Sequence, residues 1–214
     1  MSLGYQTIMK SNTLPIKPET WYHIYNRGVN GCDIFSNKQN YNYFLRKYSN
    51  YIPLVAETYA YCLLKNHFHL LIKTKTEEEI LKSFSNKPEK KAEFLISKQF
   101  SHLFNSYAQA FNKQQDRTGL LFETPFRRKE IDTDSYFATL IFYIHANAQK
   151  HHVSNDFRKW EFSSYQTYLS NKPTKLNRVA GLEWFDGLKN FIAFHDSMEI
   201  DMPKDHDVFM DESH

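Results

Sequence analysis

His67-Phe68-His69 is the first stretch of this chain whose residue types could do chemistry. Read as a strand, it sends His67 and His69 to one face and Phe68, with Leu70 and Ile72, to the other. Two imidazoles two apart on one strand face can reach the same divalent ion, and neutral imidazole is a common transition-metal ligand. The competing reading is a pair of partly exposed histidines on the wet face of a half-buried strand. Tyr143 and Asn147 extend the first reading. They stand four apart on a helix expected over Asp134–Lys150, so their side chains share a face one turn apart. Asn147 offers an amide oxygen as a third ligand, and Tyr143 offers a phenol as nucleophile. A metal held by three protein groups keeps open positions for a phosphate oxygen, the condition for Lewis-acid activation of a phosphodiester. Against this, Tyr143 is one of 14 tyrosines and would serve as well in a core. Phe142 and Tyr136 are expected in the packing, and His145, on another helix face, as a structural residue. Tyr107, a rival phenol with Asn112 nearby, lies on the Leu103/Phe104/Phe111 stripe and reads as core.

These residues need a scaffold. Trp21 to Tyr25 is aromatic and β-branched and reads as a strand running into a turn at Asn26-Arg27-Gly28. Tyr41, Phe44, Leu45 and Tyr48 recur at helical spacing over Lys38–Tyr51, and Pro53 closes that helix. Leu54–Leu64 and His67–Thr74 read as an antiparallel hairpin broken at Lys65-Asn66. Lys75–Lys91, with Glu77-Glu78-Glu79, is a solvated helix or a loop. Phe94–Asn112 is helical. Gly119-Leu120-Leu121-Phe122 starts a strand that ends in the basic run Phe126-Arg127-Arg128-Lys129. Asp134 or Ser135 caps the helix of Tyr143. Trp160–Leu169 is a turn with a short aromatic segment, Leu182–His195 a last amphipathic helix, and Asp201–His214 an acidic tail. The pattern predicts an α+β fold, a ferredoxin-like antiparallel sheet with helices on one face and a C-terminal helical extension.

Composition agrees with a folded domain. The chain has 214 residues, 41% hydrophobic and only 6 glycines, which excludes collagen, coiled coil and compositional disorder. Its apolar runs, such as Leu70-Leu71-Ile72, are too short for a membrane span, and MSLGYQTIMK lacks a signal-peptide layout. Two cysteines, Cys32 and Cys62, make neither a disulfide framework nor a zinc site, which fits a reducing cytoplasm. The net charge of +3 is a cancellation. Residues 1–180 carry 25 Lys and Arg against 15 Asp and Glu, a net +10, and residues 181–214 carry 2 against 9, a net −7. A basic body suggests a polyanionic partner. The Asp201–Glu212 tail is expected to compete weakly with that partner.

Three blocks then carry a family resemblance: Tyr22-His23-Ile24-Tyr25-Asn26-Arg27-Gly28, the Tyr61–Ile72 stretch around Asn66-His67-Phe68-His69, and Phe142-Tyr143-Ile144-His145-Ala146-Asn147. Together they resemble the REP-associated tyrosine transposases, HUH-type single-tyrosine enzymes acting on single-stranded DNA. Phe122–Lys129, Trp160–Tyr165 and Leu182–His195 also resemble family segments, so the likeness spans roughly residues 20–195. It implies an HUH transposase/endonuclease domain over residues 1–170, followed by a C-terminal helix and acidic tail over 171–214. It implies that His67 and His69 are the histidine pair, Asn147 the polar residue completing a Mg²⁺ or Mn²⁺ site, and Tyr143 the nucleophile. The expected products are a 5′-phosphotyrosine link and a free 3′-OH. One departure is that Ala148-Gln149 follow Asn147 where the family commonly has proline and valine, which predicts a longer helix before His151-His152.

DNA contact is expected from Arg127, Arg128 and Lys129 beside the catalytic helix, and from Arg27, Lys65 and Asn66 at turns near the same edge. Tyr25, Phe126 and Trp160 are candidates for base stacking. The implied substrate is single-stranded or hairpin DNA, with a monomer favoured over a homodimer by the extra C-terminal helix. Two other readings stay open: a non-catalytic or regulatory hairpin-binding protein on this fold, and a metallohydrolase in which water attacks and Tyr143 is a bystander.

Overall fold

The computed structural model of the protein describes residues 15–85, 89–131 and 137–200. Asp134 and Ser135, expected as helix caps, and the Asp201–Glu212 tail lie outside the described residues.

Strands β1 (Trp21–Arg27), β2 (Ala56–Leu63), β3 (His67–Thr74) and β4 (Arg127–Ile131) form one antiparallel sheet in the order β2-β3-β1-β4. Helix α1 (Lys38–Tyr51) crosses from β1 to β2, and α2 (Glu77–Ser83) with α3 (Ala92–Gln114) crosses from β3 to β4. Each crossover passes over one strand, which is the split βαβ, ferredoxin-like arrangement. Helix α1 forms over the expected residues. Its Asn37 cap accepts from the Asn40 amide at 3.1 Å, and Tyr41, Phe44 and Tyr48 face inward. The acidic stretch after β3 is helix α2, started by a reciprocal capping box between Thr76 and Glu79.

The strand period of two sorts the sheet residues onto two cores. Tyr22, Ile24, Phe68, Leu70 and Ile72 pack against α1 and α3. Phe68 lies 5.3 Å from Phe44 and 5.7 Å from Phe104, ring centroid to centroid. Leu71, Tyr59 and Cys62 face α4 (Phe137–Lys150), together with residues of α5 (Tyr165–Leu169), α6 (Arg178–Glu183) and α7 (Leu188–Ser197). Helices therefore cover both faces. The expectation of one covered face holds for the crossover helices alone. Helix α4 buries Leu140, Ile141, Phe142 and Ile144 nearly all round, and a helix of that kind needs a second apolar surface. The segment after residue 170 joins this second core: Leu176 bridges to Thr58 of β2, and Phe191 of α7 is fully buried.

Two elements differ from the sequence reading. The strand expected to start at Gly119 forms only over its charged end, β4, because pairing with β1 outweighs the poor strand propensity of Arg127-Arg128-Lys129-Glu130. Charge on such an edge strand also discourages further pairing. The expected Leu182–His195 helix is two helices, separated at Asp186 and Gly187, whose φ values of 53° and 107° are left-handed.

Candidate active site

The register of the sheet builds the site. Tyr25 pairs with His69 and Arg27 with His67 across β1 and β3, so these side chains share one face. Arg127 and Lys129 of β4 pair with Tyr25 and His23 and stand on that same face. Helix α4 lies over it. Cys62, opposite His69 on β2, and Ala148 of α4 are both fully buried in the second core, which seats the end of α4 beside the histidines. Tyr143 then meets His69 and His23 edge-on, at ring distances of 5.8 Å and 6.2 Å. Asn147, one turn later, is fully buried. The helix runs on to Lys150, as its departure from the family pattern predicts, and ends in a turn at His151-His152. His67 and His151 rings stand 4.5 Å apart.

A cleft of about 220 Å³ opens at this edge, lined by Tyr25, Arg27, Asn66, His67, His69, Glu123, Arg127 and His151. Glu123 holds both arginines, Arg27 at 2.5 Å and Arg127 at 3.6 Å. The Thr124-Pro125 peptide next to Glu123 is cis. Gly28, straight after Arg27, is required by a close approach: a Cβ there would stand 2.0 Å from the Cys32 carbonyl oxygen.

His67, His69 and the adjoining His23 are neutral. Burial, reinforced by His151 and Arg27, pushes the His67 pKa down to about 3. Burial also holds His69 well below the usual imidazole range, with the neighbouring His23 adding to it. His23 is pushed down to about 3 by burial and then by the charge of Lys129. Neutral imidazole is the ligand form. His67 Nε2, His69 Nε2 and Asn147 Oδ1 are all buried, and none has a hydrogen-bond partner among the described residues. Buried polar atoms are nearly always paired, so three unpartnered lone pairs suit the role of ligands. Among the described residues no group of three or more His, Cys, Asp or Glu is arranged to hold a metal. A site on His67 and His69 would therefore need a donor of another kind, and the buried Asn147 Oδ1, expected from the sequence as a third ligand, is an atom of that kind.

The fold thus brings together His67, His69, Tyr143, Asn147, Arg27, Asn66 and Arg127, with Lys129 on the same face one pair further along. It does not bring in Arg128, which pairs with Ile24 on the opposite face and lies 5.0 Å over the Phe126 ring. Lys65 sits on an exposed turn in an ion pair with Asp33 at 3.0 Å. Tyr107 is core: its hydroxyl donates to the Ile34 carbonyl inside the α1/α3 cluster. His145 is structural, fully buried between His195 and Ser164. Sequence reasoning missed His23, Glu123, Lys150 and His151. Strand alternation put His23 on one face with Tyr25, but nothing in the chain said that His69 would be its neighbour.

No protein-family model matches the chain, and no curated protein matches it significantly. Among solved structures, the chain is similar to that of a REP-associated tyrosine transposase bound to a REP hairpin. The TM-score is 0.53 at 15% identity, over 75% of this chain and 86% of that one. At that identity the likeness is one of fold: this protein has the α+β architecture of that transposase structure.

Proposed function

We propose that this protein is a metal-dependent single-stranded DNA transposase/endonuclease, cleaving and rejoining DNA at hairpin-forming repeats through a 5′-phosphotyrosine intermediate. The observation that carries the reading is Tyr143 set against buried His69 and half-buried His67, both neutral, whose buried Nε2 atoms lack partners among the described residues, as does Asn147 Oδ1 one turn after Tyr143. The fold likeness to a hairpin-bound transposase supports DNA as the substrate class. The two arginines held by Glu123 on the cleft wall support phosphate binding.

His67, His69 and Asn147 would hold a divalent cation, Mg²⁺ or Mn²⁺, which when bound supplies Lewis-acid stabilisation of charge on the scissile phosphate. Tyr143 is the nucleophile. Its phenolic oxygen attacks phosphorus and gives up its proton, the P–O3′ bond breaks, and the 3′ oxygen leaves and takes up a proton. The cut 5′ end stays on the protein, and attack by a 3′-OH reverses the step without ATP because the phosphodiester is conserved. Lys150, whose ammonium lies 5.2 Å over the Tyr143 ring, places positive charge beside the attacking group. Arg27 and Arg127 orient the strand at the cleft mouth. All these groups come from one chain, which supports a monomer with its site in cis.

The test is incubation with labelled hairpin oligonucleotides and Mn²⁺, followed by a search for a denaturation-resistant adduct. Wild-type protein is expected to give one, and Tyr143→Phe none. Cleavage without an adduct would favour hydrolysis by water. Binding without cleavage would favour a hairpin-binding regulator. An adduct in Tyr143→Phe would remove Tyr143 as nucleophile.

A further inference from the structure

Two side chains behind the cleft histidines decide which nitrogen each histidine presents. Asn66 Oδ1 lies 2.8 Å from His67 Nδ1. An amide oxygen only accepts, so His67 carries its proton on Nδ1 and keeps a lone pair on Nε2. On the neighbouring strand, His23 Nε2 lies 3.0 Å from His69 Nδ1, and the two rings are stacked 5.2 Å apart. One proton lies between these nitrogens. Were it carried by His23, His69 would hold its own proton on Nε2, a buried N–H facing no acceptor among the described residues. Carried by His69 Nδ1, it leaves Nε2 a bare lone pair, matching His67.

We infer that His23 and Asn66 are positioning residues, which hold His69 and His67 as Nδ1–H tautomers so that both offer Nε2 to one cation. The inference rests on the metal site proposed above. A second partner on the far nitrogen is what fixes a ligating imidazole's tautomer and ring orientation. That partner is often a carboxylate, whereas here it is a neutral imidazole on one side and a neutral amide on the other. With His67, His69 and Asn147 also neutral, no anion from these five groups offsets the cation's charge, which remains available to a phosphate oxygen. His23 is 1% exposed, so its role is exerted through His69 and not by contact with DNA.

Long-range proton–nitrogen correlation spectra of the metal-free, full-length wild-type protein read the tautomers directly. His67 and His69 are both expected as Nδ1–H, and His69 found as Nε2–H would overturn the inference without any substitution. Mn²⁺ affinity, measured by paramagnetic resonance without DNA, supplies the second arm. His23→Phe should weaken Mn²⁺ binding about 10- to 100-fold. His23→Gln, whose amide oxygen can accept from His69, should recover most of it. His69→Ala should abolish it. Equal Mn²⁺ binding by wild type and His69→Ala would remove the metal site itself. Loss in His69→Ala with wild-type affinity in His23→Phe would overturn only the role of His23.

Discussion

Asn147 Nδ2 donates to the backbone carbonyl of Tyr143 at 2.7 Å, so the proposed nucleophile and the proposed third ligand are tied within a single helical turn. The bond fixes the amide plane and leaves Oδ1 buried without a partner among the described residues. An orphaned acceptor costs stability, as functional groups often do. Asn147→Leu should therefore leave metal-free stability unchanged or raised by about 1 kcal/mol while cutting adduct yield at least about tenfold. Asn147→Asp sets a carboxylate oxygen against the Tyr143 carbonyl and should cost about 1–3 kcal/mol. Denaturant unfolding and adduct yield together check this, and full adduct yield from the Leu variant would take Asn147 out of the site.

The sheet register separates basic residues that face the site from those that do not. Arg27 and Arg127 line the cleft, whereas Arg128 pairs with Ile24 on the other face. For single-stranded DNA, each lost phosphate contact lowers the slope of log affinity against log salt by about 0.7. Arg27→Ala and Arg127→Ala should each lower it by that amount, and Arg128→Ala should not. A salt titration of hairpin binding makes the comparison. Equal slopes for all three variants would mean that DNA does not follow the cleft.

His67, His69 and Phe68 were legible in the chain because strand alternation is a local rule, and one apolar residue between two histidines already says which side is core. Helix α1 was legible for the same reason, from Tyr41, Phe44 and Tyr48. His23 was not, because its partner lies 46 residues away and only the β1–β3 register joins them. The strand expected from Gly119 misled for the opposite reason: its apolar Leu120-Leu121-Phe122 suggested the start, whereas pairing with β1 selects the charged Arg127–Ile131. The second helical face was hidden because the apolar residues of α4 show that it is buried but not against what.

Gly28 couples the turn after β1 to the cleft. A Cβ there would press on the Cys32 carbonyl, a backbone atom that cannot rotate away, at 2.0 Å. Gly28→Ala should then cost about 1–3 kcal/mol, typical of overpacking, and displace the neighbouring Arg27. The expected signature is a lowered denaturation midpoint together with weaker hairpin binding. A variant with wild-type values in both would mean that the turn adapts freely.

Acid should weaken the contact between α4 and the C-terminal helices. His195 Nδ1 donates to the Phe191 carbonyl at 2.8 Å, so its Nε2 must accept from His145 Nδ1 at 2.9 Å, and His145 Nε2 accepts from Ser164 Oγ at 2.7 Å. Every proton in this chain has one place, and a further one would set donor against donor. Burial pushes His195 down to about 4, against a smaller upward pull from the Phe191 carbonyl, and it holds His145 well below the usual range. In the unfolded chain both titrate near 6.5. Below that pH the unfolded state binds more protons, so their contribution is complete above about 6.5 and drains away as pH falls toward 4. Between pH 7 and 5 His195 should account for a loss of about 2 kcal/mol, and His145 acts in the same direction. His23 and His67 act in the same direction, so the network is isolated by difference. In urea titrations at the two pH values, His195→Leu should lose about 2 kcal/mol less than wild type on acidification. An identical loss in both proteins would show that His195 is not held neutral by the fold.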